Sequence, residues 1–239
     1  MTRYLLAFDL DGTLVGDPEA LARLNADLSA RRESWAIAYV TGRRIDSVQR
    51  LMSEANLLVP DAIAANVGAN LYTGAYMVPD PRWRVQISQG WHADRVHAVA
   101  KLFPGLVPQP DDAQSPFKCS YYYDPADVET VRQLVDALRR QRIRAKVVTS
   151  SGRDLDVLPA GAGKGNAVRY LAASWGVPLD RVFTVGDSGN DLEMLTLGCL
   201  AAMVGNAQPE LATAPACVYR ASGAYALGVR EALEHYGWL

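Results

Sequence analysis

The run Tyr4-Leu5-Leu6-Ala7-Phe8 leads directly into Asp9-Leu10-Asp11-Gly12-Thr13. The apolar stretch reads as a buried strand. Two carboxylates at the end of such a strand are unfavourable unless something compensates them, because each desolvated charge loses several kcal/mol of hydration. In an open α/β sheet, ligands bind beyond the carboxyl ends of the strands. Two acids one residue apart can share a divalent cation through side-chain and carbonyl oxygens. This feature therefore calls for a sheet whose strand ends meet a cation or a reacting group.

The rest of the chain supplies that sheet. Asp17 followed by Pro18 predicts an N-cap and a helix over 18–31. A second buried strand is predicted over 35–40, ending at Thr41-Gly42-Arg43, with a helix over 45–55 behind it. A third strand is predicted over 61–66, and Gly68 and Gly74 flank a hairpin through 69–76. From about Asp80 the character changes, with Pro79, Pro81, Trp83 and Trp91 marking a boundary. Strands over 117–123, 145–150 and 154–158 and an amphipathic helix over 128–141 follow. After Gly163 the alternation returns, with helices over 166–174, 192–197 and 225–235 and strands over 181–185 and 200–204. The prediction is an α/β fold: a doubly wound, mostly parallel Rossmann-like core from residues 1–79 and 159–239. A smaller α/β cap domain is inserted at 80–158.

Charge and cysteine usage narrow the function. The net charge is −2 over 239 residues, so the broad basic surface that nucleic-acid binding needs is absent. The cluster Arg139, Arg140, Arg142 and Arg144 reads as a solvated helix end. Cys119, Cys199 and Cys217 are odd in number and lack metal spacing, which points to free buried thiols in a reducing cytoplasm. Arg3 precedes an apolar stretch soon broken by Asp9, so no signal peptide is expected, and the run 197–205 is too short to span a membrane. His92, His97 and His235 belong to no motif and read as solvated or core histidines.

Four segments place phosphate chemistry at strand or helix ends: Asp9 and Asp11, Thr41-Gly42, Lys164, and Asp187 through Asn190 to Asp191. Singly, Lys164 reads as a surface lysine, Thr41 as a strand-end hydroxyl and the later acids as turn residues. In this order, each after an apolar strand or at a helix start, they read as one site. There a hydroxyl and N–H hold phosphate oxygens, an ammonium offsets anionic repulsion, and carboxylates hold a hard cation.

On these residues the chain resembles the haloacid dehalogenase superfamily of phosphatases along its whole length. The insertion between the second and third motifs is similar to that of the C2-capped branch. More narrowly, the blocks 150–159, Lys164-Gly165-Asn166-Ala167, 186–191 and 205–211 resemble the sucrose-phosphate phosphatase group. The resemblance implies a phosphoric monoester hydrolase, with Asp9 as nucleophile, Asp11 as acid and base, and Thr41 and Lys164 completing the catalytic set. It implies Mg²⁺ held by Asp9, the Asp11 carbonyl and Asp187, with Asp191 behind them. Gly42 and Asn190 would hold the phosphoryl group. Arg43, Gln49, Lys118, Asp154 and Asp156 would meet the sugar, with the cap acting as a lid.

The substrate implied is a small sugar phosphate, sucrose 6-phosphate first, with a monomeric state and a sucrose-phosphate synthase as a candidate partner. No nucleic-acid or membrane partner is expected. The mannosylfructose-phosphate phosphatases share many blocks, and Asn70 stands where plant and cyanobacterial members are expected to carry glutamate. A phosphomutase would share the core residues. A dehalogenase would need neither Asp11 nor Asp187, and an inactive binding domain would be expected to lose a catalytic carboxylate. All of these residues are intact.

Overall fold

The computed structural model describes residues 4–239, so Arg3 lies outside the described residues. The chain opens with β1 (Tyr4–Phe8), α1 (Pro18–Ala30), β2 (Trp35–Val40), α2 (Ile45–Glu54), β3 (Ala62–Ala65), β4 (Asn70–Thr73) and β5 (Val78–Pro79). Next come α3 (Pro81–Ser88), α4 (Ala93–Ala100), β6 (Val107–Pro108), β7 (Cys119–Tyr122), α5 (Val128–Arg140), β8 (Ala145–Ser150) and β9 (Asp154–Pro159). It closes with α6 (Lys164–Ser174), β10 (Val182–Gly186), α7 (Leu192–Leu195), β11 (Leu200–Met203), β12 (Tyr219–Arg220) and α8 (Tyr225–His235).

The described residues form an eight-stranded sheet in the order β12-β11-β10-β1-β2-β3-β4-β5 and a four-stranded sheet in the order β6-β7-β9-β8. The first is parallel from β12 to β3, and β4 and β5 extend it antiparallel. Helices cover both faces. Leu6, Phe8, Ile37, Tyr39 and Ile63 point to α1, α2 and α8. Leu5, Ala7, Ala38, Ala62 and Ala64 point to α3, α6 and α7. The second face is built mostly of alanine, which lets α6 approach closely. Asp17 caps α1 as expected, accepting from Glu19 N and Ala20 N, with Pro18 in the first turn.

Strand order fixes where chemistry can occur. From β1 the chain steps outward through β2 and β3, then returns to β10 on the other side of β1. The topological switch thus falls between β1 and β10, the place where an open α/β sheet opens a crevice at its carboxyl ends.

The four-stranded sheet is antiparallel throughout. One face carries Cys119, Tyr121, Leu155 and Val157, which pack with Val96 and Val99 of α4 and Leu134 and Leu138 of α5. The other face looks toward the crevice. Helix α3 falls inside the stretch 80–158, yet its buried Trp83 and Ile87 pack into the core cluster, and Trp83 Nε1 donates to Gly68 O at 3.2 Å. The cysteines also differ from expectation. All three are free, but only Cys119 is buried; Cys199 is half-buried and Cys217 is exposed. Cys199 immediately precedes β11, and Cys217 lies just before the edge strand β12. No helix among the described residues is long and apolar enough to cross a membrane.

Candidate active site

Asp9 follows β1, and its N–H continues the parallel ladder by donating to Val185 O at 3.1 Å. Asp187 follows β10 and Lys164 opens α6. The Lys164 ammonium sits 2.7 Å from Asp9 Oδ1 and 2.6 Å from Asp191 Oδ1, and all three groups are buried. Asp9, Asp187 and Asp191 bring carboxylate oxygens within 4.8 Å of one another. Asp191 is the innermost. Its second oxygen accepts the N–H groups of Asp187 at 2.9 Å and Ser188 at 3.0 Å, so both of its oxygens are engaged. It acts as a frame for Lys164 and the 187–188 backbone.

Three carboxylates face one ammonium in this buried cluster, an excess of two negative charges. Burial pushes the Asp9 carboxyl well above its ordinary value, despite the counter-pull of Lys164. Asp187 is pushed up to about 6, first by burial and then by the neighbouring Asp191. Burial works against the charge on Lys164, but Asp191 and Asp9 outweigh it and hold its pKa above the ordinary lysine value. An all-oxygen donor set short of two positive charges fits a hard divalent cation.

The loop after β1 is locked around this cluster. Thr13 Oγ1 donates to Asp187 Oδ1 at 3.2 Å. Gly12 adopts φ +75°, and a Cβ there would lie 2.4 Å from Asp187 Oδ2, so the close approach of the two loops requires glycine. Asn206 Nδ2 donates to Gly12 O at 2.7 Å, and its Oδ1 accepts from Tyr225 N. This gives the 205–211 block a role in the site.

Asp11 lies apart from the carboxylate cluster. Arg43 grips both of its oxygens, Nε to Oδ2 and Nη2 to Oδ1, each at 2.7 Å. Arg43 Nη1 donates to Ser47 Oγ at 2.8 Å, so the guanidinium is occupied on three sides. Its hydrogen bond to Asp11 raises its pKa above the ordinary arginine value. Thr41 is buried, and its Oγ1 accepts the Arg43 N–H at 3.2 Å. The Thr41–Arg43 loop is held from behind by Asn66 N to Arg43 O and Val67 N to Thr41 O. Both donors have positive φ, 51° and 57°, a strained conformation for a β-branched valine.

A cavity of about 740 Å³ lies over these groups. Asp9, Asp11, Thr41, Gly42, Arg43, Lys164, Asp187 and Asn190 form its floor. Lys118, Asp154 and Asp156 come down from the four-stranded sheet. Lys118 Nζ lies 3.6 Å from Asp156 Oδ1, and Ser120 Oγ donates to the same oxygen at 2.5 Å. Burial raises the pKa of Asp154.

The structure thus brings together the sequence-predicted residues with one exception. Gln49 is exposed and lies off the cavity wall. On α2 the cavity side carries Asp46, Ser47 and Arg50, a face that Gln49 does not share because successive helical residues turn by about 100°. Asp191 lies beneath the cavity, behind Asp9 and Asp187, and shares their cluster.

Several wall residues were missed, including Arg44, Arg50, Asn66 and Gln109. Gln109 donates to Asp154 Oδ1 at 3.0 Å from a proline-flanked segment with no periodic signal. Asn66 Oδ1 is buried with no partner among the described residues. Asn70 is one layer back, accepting from Asn66 Nδ2 at 2.9 Å.

The sequence profile of the sucrose-6F-phosphate phosphohydrolase family matches residues 2–237. The probable sucrose-phosphatase 1 of Arabidopsis thaliana is 33% identical, over 98% of this chain and 60% of its own length. The mannosylfructose-phosphate phosphatase of Agrobacterium fabrum is 32% identical, over 98% of this chain and 96% of its own length. The crystal structure of the sucrose-phosphatase from Synechocystis, in complex with sucrose and phosphate, matches with a TM-score of 0.94 at 36% identity, over 100% of both chains. The chain spans about 60% of the length of the plant relative it matches.

Proposed function

The chain belongs to the sucrose-6F-phosphate phosphohydrolase family, and from that membership we propose that it hydrolyses a disaccharide phosphate, sucrose 6-phosphate first. The observation that carries this reading is the buried cluster of Asp9, Asp187, Asp191 and Lys164 at the switch point, beneath a cavity roofed by polar side chains.

In this reading Asp9 attacks phosphorus through a carboxylate oxygen while the bond from phosphorus to the sugar oxygen breaks. Asp11 gives a proton to the leaving oxygen, then takes one from the water that attacks the aspartyl-phosphate, and the bond to Asp9 breaks. Arg43 holds Asp11 by both oxygens, so one must be handed to the leaving group as substrate arrives. Lys164, the Thr41 hydroxyl, the Gly42 N–H and Asn190 hold the phosphoryl oxygens. Asp9, the Asp11 carbonyl and Asp187 would hold Mg²⁺, with Asp191 orienting them. When bound, the ion supplies charge neutralisation between nucleophile and phosphate.

Residues 1–79 and 159–239 form the catalytic unit in this proposal, and the four-stranded sheet with α4 and α5 forms the lid. Helix α3 is counted with the core because its buried side chains lie there. Lys118, Asp154 and Asp156 meet the distal sugar. The same reading makes the protein a cytoplasmic monomer fed by a sugar-phosphate synthase. Sizing it alone and with such a synthase checks both points.

A second substrate is supported by one observation. The mannosylfructose-phosphate phosphatase matches along 96% of its own length. Phosphate release from both disaccharide phosphates, fructose 6-phosphate and glucose 6-phosphate, with and without Mg²⁺, tests the proposal. A monosaccharide phosphate that equals or exceeds both disaccharides overturns the disaccharide reading and leaves the phosphatase reading.

A further inference from the structure

Two glutamates outside the cluster share an unusual arrangement. Glu193, on α7, accepts the Lys146 ammonium from lid strand β8 on Oε1, and on Oε2 it accepts Gly165 N at 3.1 Å. Gly165 follows Lys164 in the first turn of α6. The N-cap there is Gly163, which has no side chain to satisfy the free N–H groups. Glu210 accepts Gly152 N, in the β8–β9 turn, on Oε1 at 2.6 Å, and Gly189 N on Oε2 at 3.0 Å. Gly189 opens the 3₁₀ turn Gly189–Asp191 that carries Asn190. Each carboxylate therefore has one oxygen on the lid and the other on a backbone N–H adjoining a residue of the cluster or cavity floor.

A cavity of about 460 Å³ lies between β8 and the core, lined by Lys146, Thr149, Lys164, Asn190, Glu193 and Glu210 among others. Charged and polar groups line much of this opening, while Val148 of β8 packs against the core cluster beside it. Where they do touch, the approach is close: a Cβ on Gly189 would lie 2.5 Å from Thr149 O. The same lid turn places Ser150 and Ser151 on the wall of the main cavity. Across the mouth, Arg44 Nη1 donates to Asp112 O at 3.2 Å.

We propose that Glu193 and Glu210 are positioning residues that wire the lid to the two loops presenting Lys164 and Asn190, so that a sugar drawn against the lid sets the phosphate-holding groups. This rests on the lid reading above. Through β8, a shift of the lid moves Lys146 and Gly152. Their glutamate partners transmit that shift to Gly165 and Gly189. The coupling is reciprocal, as any thermodynamic linkage must be.

The discriminating variant is Lys146→Met. It cuts the lid arm of Glu193 and leaves the hydrogen bond to Gly165 N, so a purely capping role for Glu193 would not feel it. Glu210→Gln is its counterpart on the second bridge. The measurement is kcat/KM on the sugar phosphate the wild type prefers, divided by that on p-nitrophenyl phosphate, whose leaving group is too small to engage the lid. The expected result is a fall in that ratio of about tenfold in each variant, within the usual range of coupling energies. Lys146→Arg, which keeps the ion pair, should restore the ratio. Amide hydrogen exchange should speed up by about tenfold at Gly189 in Glu210→Ala, which removes both acceptor oxygens. A ratio within about twofold of wild type in both variants, or equal losses on the two substrates, overturns the wiring. Failure of the sucrose reading only changes which sugar phosphate is used. Exchange needs no substrate, so unchanged protection at Gly189 overturns the Glu210 bridge even if no substrate is found.

Discussion

In the eight-stranded sheet the polar side chains of the site lie just past the last residues of β1, β2 and β10. In the four-stranded sheet they alternate with apolar ones along β7 and β9. The central strands β1, β2 and β10 are parallel and covered on both faces, so they are apolar along nearly all their length, the buried Thr184 apart, and the polarity of the site enters where they end. The second is antiparallel, with Cys119, Tyr121, Leu155 and Val157 on one face and Ser120, Asp154 and Asp156 on the other. The physical consequence is a division of labour. Lys164 and Asp191 are 1% and 0% exposed in their side chains, held by mutual charge in a rigid frame. The polar face of the four-stranded sheet meets the cavity of about 740 Å³, which in the proposed reading receives the sugar.

The sharpest way to break that division is Asp9→Asn. The amide keeps the shape but cannot form an acyl phosphate, so turnover should fall by at least about 10⁴-fold. The melting temperature should stay level or rise, because one of three crowded carboxylates is removed. Phosphate release and thermal melting, measured together, check both halves. Activity within about tenfold of wild type would mean that the nucleophile is not Asp9.

Metal removal probes the same cluster without changing the chain. Exhaustive EDTA treatment should abolish turnover, and added Mg²⁺ should restore it. Millimolar Ca²⁺ should inhibit, since its larger and looser shell fits in-line transfer poorly. Full activity after chelation would sink the reading of Asp9 and Asp187 as ligands.

Substitutions on the lid face should be milder and selective. Lys118→Ala and Asp154→Ala should raise KM for the preferred disaccharide phosphate by about tenfold, or about 1.4 kcal/mol, while p-nitrophenyl phosphate is hydrolysed nearly as before. Equal losses on both substrates would erase the distinction between a chemical core and a recognising lid.

How much of this was legible in the chain follows the same contrast. Carboxylates after continuous apolar strands stand out, so Asp9, Asp11 and Asp187 were readable, and period-two alternation put Asp154 and Asp156 on one face. Helix α3 was not readable. Asp80-Pro81 repeats the Asp17-Pro18 signature, but Trp83, Val85 and Ile87 alternate like a strand, and only the fold shows that Trp83 and Ile87 are buried while Val85 is exposed. Gln49 sits one position before Arg50, and that single step along the helix turns its side chain off the cavity. Glu193 and Glu210 could not be found by pattern, because their partners include backbone N–H groups brought close only by tertiary structure.

The smallest effect tests whether the two regions melt as one. Helices α1 and α5 are each 13 residues long and each is capped by an aspartate, Asp17 in the core and Asp127 in the lid. Asp17→Ala should lose about 1 kcal/mol, lowering the melting temperature of a protein this size by roughly 2–4 °C. Asp127 is fully exposed, and its pKa is held below the usual carboxylate value, first by the Thr130 hydroxyl and then by the Thr130 N–H. A depressed folded pKa means that the contribution is present above the unfolded value and is lost as pH falls through the folded one. The Asp127→Ala difference should therefore be seen at neutral pH and fade as pH drops below roughly 4. If the two regions form one cooperative unit, both variants shift a single transition. If Asp127→Ala moves a separate, earlier transition that Asp17→Ala leaves in place, the lid folds as a unit of its own, and its looser hold on the core is what lets the lid move over the rigid cluster below.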